Sequence, residues 1–182
     1  MTKEFASRVP FVMPNFNIPV PFGNTPLFEK YANEDRLLTA MPFTFYYMPY
    51  LVFRLKNYSA ENFYEKLIDI TSYVSSANML LKRLQSSHSP FPAGYNLIKA
   101  LGNGQMIRRL REILYLLKTD PQFRAFHDHQ NDILPPFYHL QYERLLGPYA
   151  TLMSREERRP VFSEHPSKPA IPILQPAAMV NR

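Results

Sequence analysis

The chain has 182 residues, 46% of them hydrophobic, which allows one domain with a core of ordinary size. Its formal net charge of +6 favours an anionic partner, but the basic residues are scattered and form no stripe typical of nucleic-acid binding. The absence of cysteine excludes disulfides, thiolate zinc sites and cysteine-ligated iron–sulfur clusters.

Proline is concentrated at the two ends of the chain, which has 18 prolines against 5 glycines. We predict an extended N-terminal arm over residues 1–24 and an extended C-terminal arm over residues 160–182, flanking a helical domain over residues 25–159. The N-terminus lacks the apolar region of a secretory signal. The longest apolar stretch, residues 41–53, is too short to span a bilayer.

The first half of the domain combines helix starts with an aromatic stretch over residues 37–58. Thr25 followed by a proline predicts a helix that ends near Glu34. Residues 50–56 alternate well enough for one strand, which Pro49 would confine to a sheet edge. Ser59 predicts the N-cap of a long helix that ends near residue 86.

The second half of the domain is predicted to be helical throughout. A helical region begins after Pro92 and runs to about residue 118, and Gly102 and Gly104 are expected to divide it. Asp120 before a proline starts a short helix that reaches residue 127, and a last helix runs from residue 135 to Gly147. The fold class is therefore mainly α, a small helical domain of about five helices flanked by extended Pro-rich arms.

Five metal-ligating side chains lie close together in the sequence, at His127, Asp128, His129, Asp132 and His139. On a helix His127 and His129 would point about 200° apart, so they can share an ion only where the helix has ended. The simpler interpretation has His127 capping the short helix and His129 facing solvent. We expect no bound metal and no cofactor.

The segment from residue 120 to 149, DPQFRAFHDHQNDILPPFYHLQYERLLGPY, resembles the C-terminal region of cobalamin-dependent radical S-adenosylmethionine enzymes. That family has a similar Asp-Pro-x-Phe-x-x-Phe-His, then Leu-Pro-x-Phe-Tyr and Leu-Gly. Two earlier patches, NFNIPVPFGNTPLFEKYANEDRLL and LVFRLKNYSAENF, are similar to family motifs in the same order, so the resemblance covers roughly residues 15–163 in separate patches. Asn24 alters the turn of the first patch, and Leu55 stands where proline is usual.

The resemblance does not extend to the family's chemistry. Such enzymes hold an iron–sulfur cluster with a Cys-x-x-x-Cys-x-x-Cys loop, and this chain has no cysteine. An Asp-x-His-x-x-Gly cobalamin motif is also missing from the sequence. No catalytic residue can be carried over, and we expect no enzyme activity.

These observations predict a non-catalytic structural subunit that docks on a larger protein assembly through its arms. The predicted partner contacts are aromatic or apolar: Phe5, Phe11, Phe16, Phe22, Phe45, Tyr46, Tyr47, Ile171, Ile173 and Leu174. The aromatic residues around Phe45 also suit a hydrophobic ligand surface, although packing in a core or interface is the favoured interpretation.

The resemblance suggests what the partner is. The family includes the anaerobic magnesium-protoporphyrin monomethyl ester cyclase, so one hypothesis places the chain on a photosynthetic complex, at the cytoplasmic face of a membrane and in contact with anionic lipid. The alternative is an accessory fragment acting in trans with a separately encoded cobalamin-dependent radical enzyme. We expect a cytoplasmic or peripheral location, no nucleic-acid partner and no transmembrane helix.

Overall fold

Helices form the regular structure of this chain. The computed structural model describes residues 2–8, 13–86 and 90–152. Within those ranges the α-helices are α1 (Thr2–Arg8), α2 (Pro26–Asn33), α3 (Ala60–Val74), α4 (Ala77–Ser86), α5 (Pro90–Thr119), α6 (Pro121–His127) and α7 (Pro136–Leu146). Two 3₁₀ helices cover Phe43–Phe45 and Gly147–Leu152. The mainly α fold class is confirmed, with seven described α-helices where about five were expected.

The helix starts predicted from capping residues are confirmed. The side-chain oxygens of Thr25, Ser59 and Asp120 each accept a backbone N–H two or three residues further on, over distances of 2.9–3.3 Å. These bonds satisfy N–H groups that have no partner inside the helix. The predicted end of the last helix is also correct, since Gly147 takes a positive φ of 49° directly after α7.

The long helices differ from the prediction in where they break. The helix predicted from Ser59 to residue 86 is two helices, because α3 ends at Val74 and the Ser76 hydroxyl caps α4 by accepting the Met79 N–H at 3.4 Å. In contrast, α5 continues through Gly102 and Gly104, so the predicted division is wrong. Packing against α3 and α4 supports α5 and outweighs the low helix propensity of its glycines.

The strand predicted over residues 50–56 is reduced to an isolated bridge between Leu37 and Phe53. Its flanking hydrogen bonds run from the Leu38 N–H to the Val52 carbonyl at 3.0 Å and from the Arg54 N–H to the Arg36 carbonyl at 2.7 Å. Among the described residues, the pairing does not extend beyond this bridge, so residues 50–56 do not form a β-strand.

The first helix corrects the prediction of an extended arm over residues 1–24, because α1 occupies Thr2–Arg8. This segment precedes the first proline of the chain, and Glu4 and Arg8 form an ion pair one turn apart. Lys3 anchors α1 to α3 by pairing with Asp69 at 2.7 Å. Residues 13–22 have no helix or strand, and residues 160–182 lie outside the described ranges.

Met13 attaches the irregular segment after α1 to the helical domain. Its N–H donates to Asn96 Oδ1 at 3.2 Å, and its carbonyl accepts from Lys99 Nζ at 2.7 Å. Asn103 Nδ2 lies 3.2 Å from the Met13 sulfur and 2.9 Å from Ser75 Oγ. Since Met13 is fully buried, the domain itself covers part of the segment that was expected to need a partner.

Aromatic rings fill the centre of the fold around Tyr138 of α7, which is fully buried. Five phenylalanine and tyrosine rings have centroids between 5.1 and 6.1 Å from its own: Phe45, Tyr50, Phe123, Phe126 and Phe137. They come from the aromatic stretch, from α6 and from α7. One residue therefore joins three parts of the chain.

Tyr64 of α3 holds the irregular segment that precedes the helix. Its hydroxyl donates to the Pro49 carbonyl at 2.7 Å and accepts the Leu51 N–H at 3.1 Å. Burial raises the pKa of Tyr64 well above its usual range, so the hydroxyl keeps the proton that it donates. These two bonds replace ladder hydrogen bonds that a longer strand would supply.

Replacing Tyr64 with Phe is expected to lower the free energy of unfolding by about 2 kcal/mol, because it leaves a buried carbonyl and a buried N–H without partners. Urea unfolding followed by circular dichroism measures this difference. Tyr58→Phe is the matched control, since Tyr58 is 51% exposed and its loss should change stability by less than about 0.5 kcal/mol. Equal losses in both variants would contradict the role given to Tyr64.

Candidate functional site

The structure separates the residues that were predicted to contact a partner. Phe5 on α1 and Phe22 are exposed, whereas Phe16 is half-buried and lines a cavity between α1 and α3. The remaining predicted contacts in the terminal segments lie outside the described residues: Phe11, Ile171, Ile173 and Leu174. Phe16 and Tyr47 line different cavities.

Two residues of the aromatic stretch require correction as partner contacts. Phe45 and Tyr46 are 0 and 3% exposed, because the 3₁₀ helix Phe43–Phe45 turns them into the core. Both residues therefore pack in the core, which was the favoured interpretation for the aromatic residues around Phe45. Tyr47 is 37% exposed and lines a second cavity.

His127 is part of the core and does not cap α6, in correction of the prediction. The capping residue is Asp128, and His127 Nε2 lies 2.9 Å from Tyr138 Oη. Its Nδ1 has no hydrogen-bond partner among the described residues. Burial lowers the pKa of His127 to about 3, so the ring is neutral at physiological pH.

His129 is also not a simple solvent-facing residue. It is half-buried with a positive φ of 60°, and its Nε2 lies 2.9 Å from the Leu37 carbonyl oxygen. His127 and His129 thus have different partners. Within residues 2–8, 13–86 and 90–152, no group of three potential metal-ligating side chains is found.

The buried neutral His127 should make stability depend on pH. In the unfolded chain it binds a proton below about pH 6.5, whereas in the folded chain it does so only near pH 3. The free energy of unfolding should therefore fall as pH decreases from 6.5 towards 3, by about 1.4 kcal/mol per pH unit from this residue.

Urea unfolding at pH 7, 5.5 and 4.5 measures this dependence in the parent chain and in His127→Gln. The variant should lose part of the slope below pH 6.5, while carboxylates contribute equally to both proteins and cancel. His139→Gln is the control, since His139 is exposed on α7 and should leave the slope unchanged. Parallel curves for the parent and His127→Gln would contradict the assignment.

The first half of α5 presents a row of apolar side chains to solvent. Phe91, Tyr95, Ile98 and Leu101 are 81, 51, 72 and 71% exposed. Their spacing of four, three and three residues places them on one side of the helix, and we call these four residues the α5 face. The opposite side carries Asn96, which is buried. In the second half of α5, Leu110, Ile113 and Leu117 are buried.

The α5 face lies within a part of the chain that carries only positive charge. Residues 70–111 contain six Lys and Arg residues and no Asp or Glu, which equals the whole formal net charge of +6. Arg108 and Arg111 are exposed, and neither forms an ion pair with a residue that the structure describes. Arg108, seven residues after Leu101, continues the same side of the helix.

Sequence reasoning did not single out the α5 face. Apolar residues at helical spacing are expected to face a core, and nothing local distinguishes an exposed row from a buried one. The available sequence signal was the absence of acidic residues over 70–111. That absence predicts a positive surface, although it does not say which side of α5 is exposed.

A scan against protein-family models and searches among curated proteins and solved structures gave no match to this chain. The resemblance to cobalamin-dependent radical enzymes therefore stays a prediction. Among the described residues, no helix combines the length and apolar character needed to cross a membrane.

Proposed function

We propose that this chain is a non-catalytic interaction subunit whose α5 face docks against a helix of an acidic protein partner. The observation that supports the proposal is an exposed apolar row within a segment that lacks acidic residues. A contiguous apolar patch rimmed by polar residues is typical of an interaction site. Burying each large side chain would contribute about 1.5–3 kcal/mol, before the entropic cost of association.

The surface shape of the α5 face favours a helix of the partner as the segment that binds there. Gly94 and Gly102 lie on the same side of α5 as the four large side chains, and the space above each of them is open. The surface therefore alternates projecting side chains with hollows. Such ridges and grooves accept the ridges of another helix, whereas a lipid surface makes no use of them.

The charge around the α5 face favours an acidic partner over a second copy of the chain. Two copies joined through this face would bring their positive segments together, and no carboxylate within residues 70–111 could offset the repulsion. An acidic partner gains attraction from the same charges. Lys99 is less available for this role, because its ammonium group binds the Met13 carbonyl.

This proposal moves the main contact from the arms to α5. The exposed side chains of Phe5 and Phe22 remain candidates for additional contacts. The partner's identity as a photosynthetic complex, or as a radical enzyme completed in trans, is supported only by the family resemblance. The proposal for α5 does not depend on that choice.

A photo-crosslinking amino acid at residue 98 tests the proposal in cells of the source organism. We expect one protein adduct from position 98 and the same adduct from position 95. Position 133 is the matched control, because Ile133 and Ile98 are both exposed isoleucines, 62 and 72% respectively, and Ile133 lies outside the acid-free segment.

The captured protein is then purified and its affinity for the chain is measured. Ile98→Asp should weaken binding at least tenfold, Ile133→Asp should leave it unchanged, and raising the salt concentration should weaken it further. Equal effects of the two aspartate variants would contradict the proposal. Flotation with vesicles of anionic phosphatidylglycerol, lost in Ile98→Asp and without any protein adduct, would replace the protein partner with a membrane surface.

A further inference from the structure

A cavity of about 340 Å³ lies between α5, α7 and the loop at Tyr47 to Tyr50. Its volume is within the range of small-molecule sites. Helix α5 lines the cavity with residues 109, 112 and 113. Helix α7 lines it with residues 137, 141, 144 and 145. These spacings bring each set onto one helix face, so the cavity is a product of the fold.

Part of the cavity wall is apolar and well supported. Ile113 is fully buried, and Pro49 is buried beside it in the lining. Phe137 packs edge-on against Phe123, with ring centroids 5.5 Å apart. Such a wall suits a flat apolar group.

The polar lining carries two arginines and one carboxylate. Arg109 and Arg144 project from different helices into the same lining, together with Glu112. Within the described residues neither guanidinium forms an ion pair, although Glu112 is close in sequence to Arg109. The cavity thus has a formal charge of +1 that no described residue neutralises.

We propose that this cavity binds a small organic monocarboxylate with a flat apolar body. Its carboxylate lies between the guanidinium groups of Arg109 and Arg144, which present paired donors matched to two oxygen atoms. Its apolar body lies against Phe137, which Ile113 and Phe123 support from the core. The two arginines and Glu112 together carry a formal charge of +1, which one carboxylate neutralises. A phosphate dianion would leave one negative charge in excess.

Tyr50 supports the proposal from the third side of the cavity. Its ring lies edge-on to that of Tyr47, with centroids 5.4 Å apart, and both residues line the space. The Tyr50 hydroxyl is protonated at neutral pH, as in any tyrosine; burial raises its pKa to about 12, with a smaller contribution from its hydrogen bond to Tyr47. The Gln141 side chain adds an amide donor to the lining.

This site is separate from the α5 face. Ile98 and Ile113 are fifteen residues apart on one helix, which corresponds to about 22 Å along its axis. The two proposals rest on different observations, and either can fail without the other.

Isothermal titration calorimetry with 2-naphthoate tests the carboxylate site on the full chain at pH 7. We expect 2-naphthoate to bind at least tenfold more tightly than 2-naphthol, which has the same body without the charge, and than acetate, which has the charge without the body. Arg109→Gln and Arg144→Gln should each weaken 2-naphthoate binding at least tenfold. Arg111→Gln is the matched control, since Arg111 is exposed on α5 outside the cavity lining and should leave binding unchanged.

Three results would overturn the proposal. Equal binding of 2-naphthol and 2-naphthoate would leave only an apolar cavity, and equal losses in Arg111→Gln and Arg144→Gln would indicate general charge attraction. Tighter binding of phenyl phosphate would replace the carboxylate with a phosphate.

A last variant tests whether the chain fills its own site. Glu156 and Glu157 are the first carboxylates that follow α7 in the sequence. The double substitution Glu156→Gln, Glu157→Gln should not change the affinity for 2-naphthoate. A tenfold gain would show that these side chains compete for the arginines, and would overturn the assignment of an external ligand.

Discussion

The packing of aromatic rings around Tyr138 is the constraint on which the rest of this structure depends. Its ring contacts Phe45 and Tyr50 from the aromatic stretch and Phe123 and Phe126 from α6. Its hydroxyl is satisfied by His127, which must be neutral to occupy that position. Because the rings interlock in a closely packed interior, a change at Tyr138 would move α6, α7 and the aromatic stretch together.

The same packing positions the proposed ligand site. Tyr50 touches Tyr138 on one side, with centroids 5.8 Å apart, and lines the cavity on the other. Phe137 similarly belongs both to the ring cluster and to the cavity wall. A site supported in this way needs little rearrangement when a ligand enters, and this reduces the entropic cost of binding.

The two halves of helix α5 have different roles. The second half supports the fold, and the first half is available for interaction. Its second half is buried through Leu110 and Ile113, and Lys118 pairs with Glu65 of α3. Its first half makes polar contacts to Met13 and Ser75 and leaves the α5 face exposed. The apolar α5 face therefore contributes little to folding, and this is the physical reason for assigning it to a partner.

Local features of the sequence were sufficient to predict the helix starts at Thr25, Ser59 and Asp120, because capping bonds join residues only two or three positions apart. The same local rules failed for the strand and for the division of α5, since pairing and packing depend on distant segments. The burial of His127 and the placement of Arg109 and Arg144 in one cavity lining also required the tertiary structure. The sequence by itself determined a mainly helical chain with a positive segment over residues 70–111. Only tertiary packing decided which apolar side chains are buried and which remain exposed, because a helical pattern does not specify its neighbours.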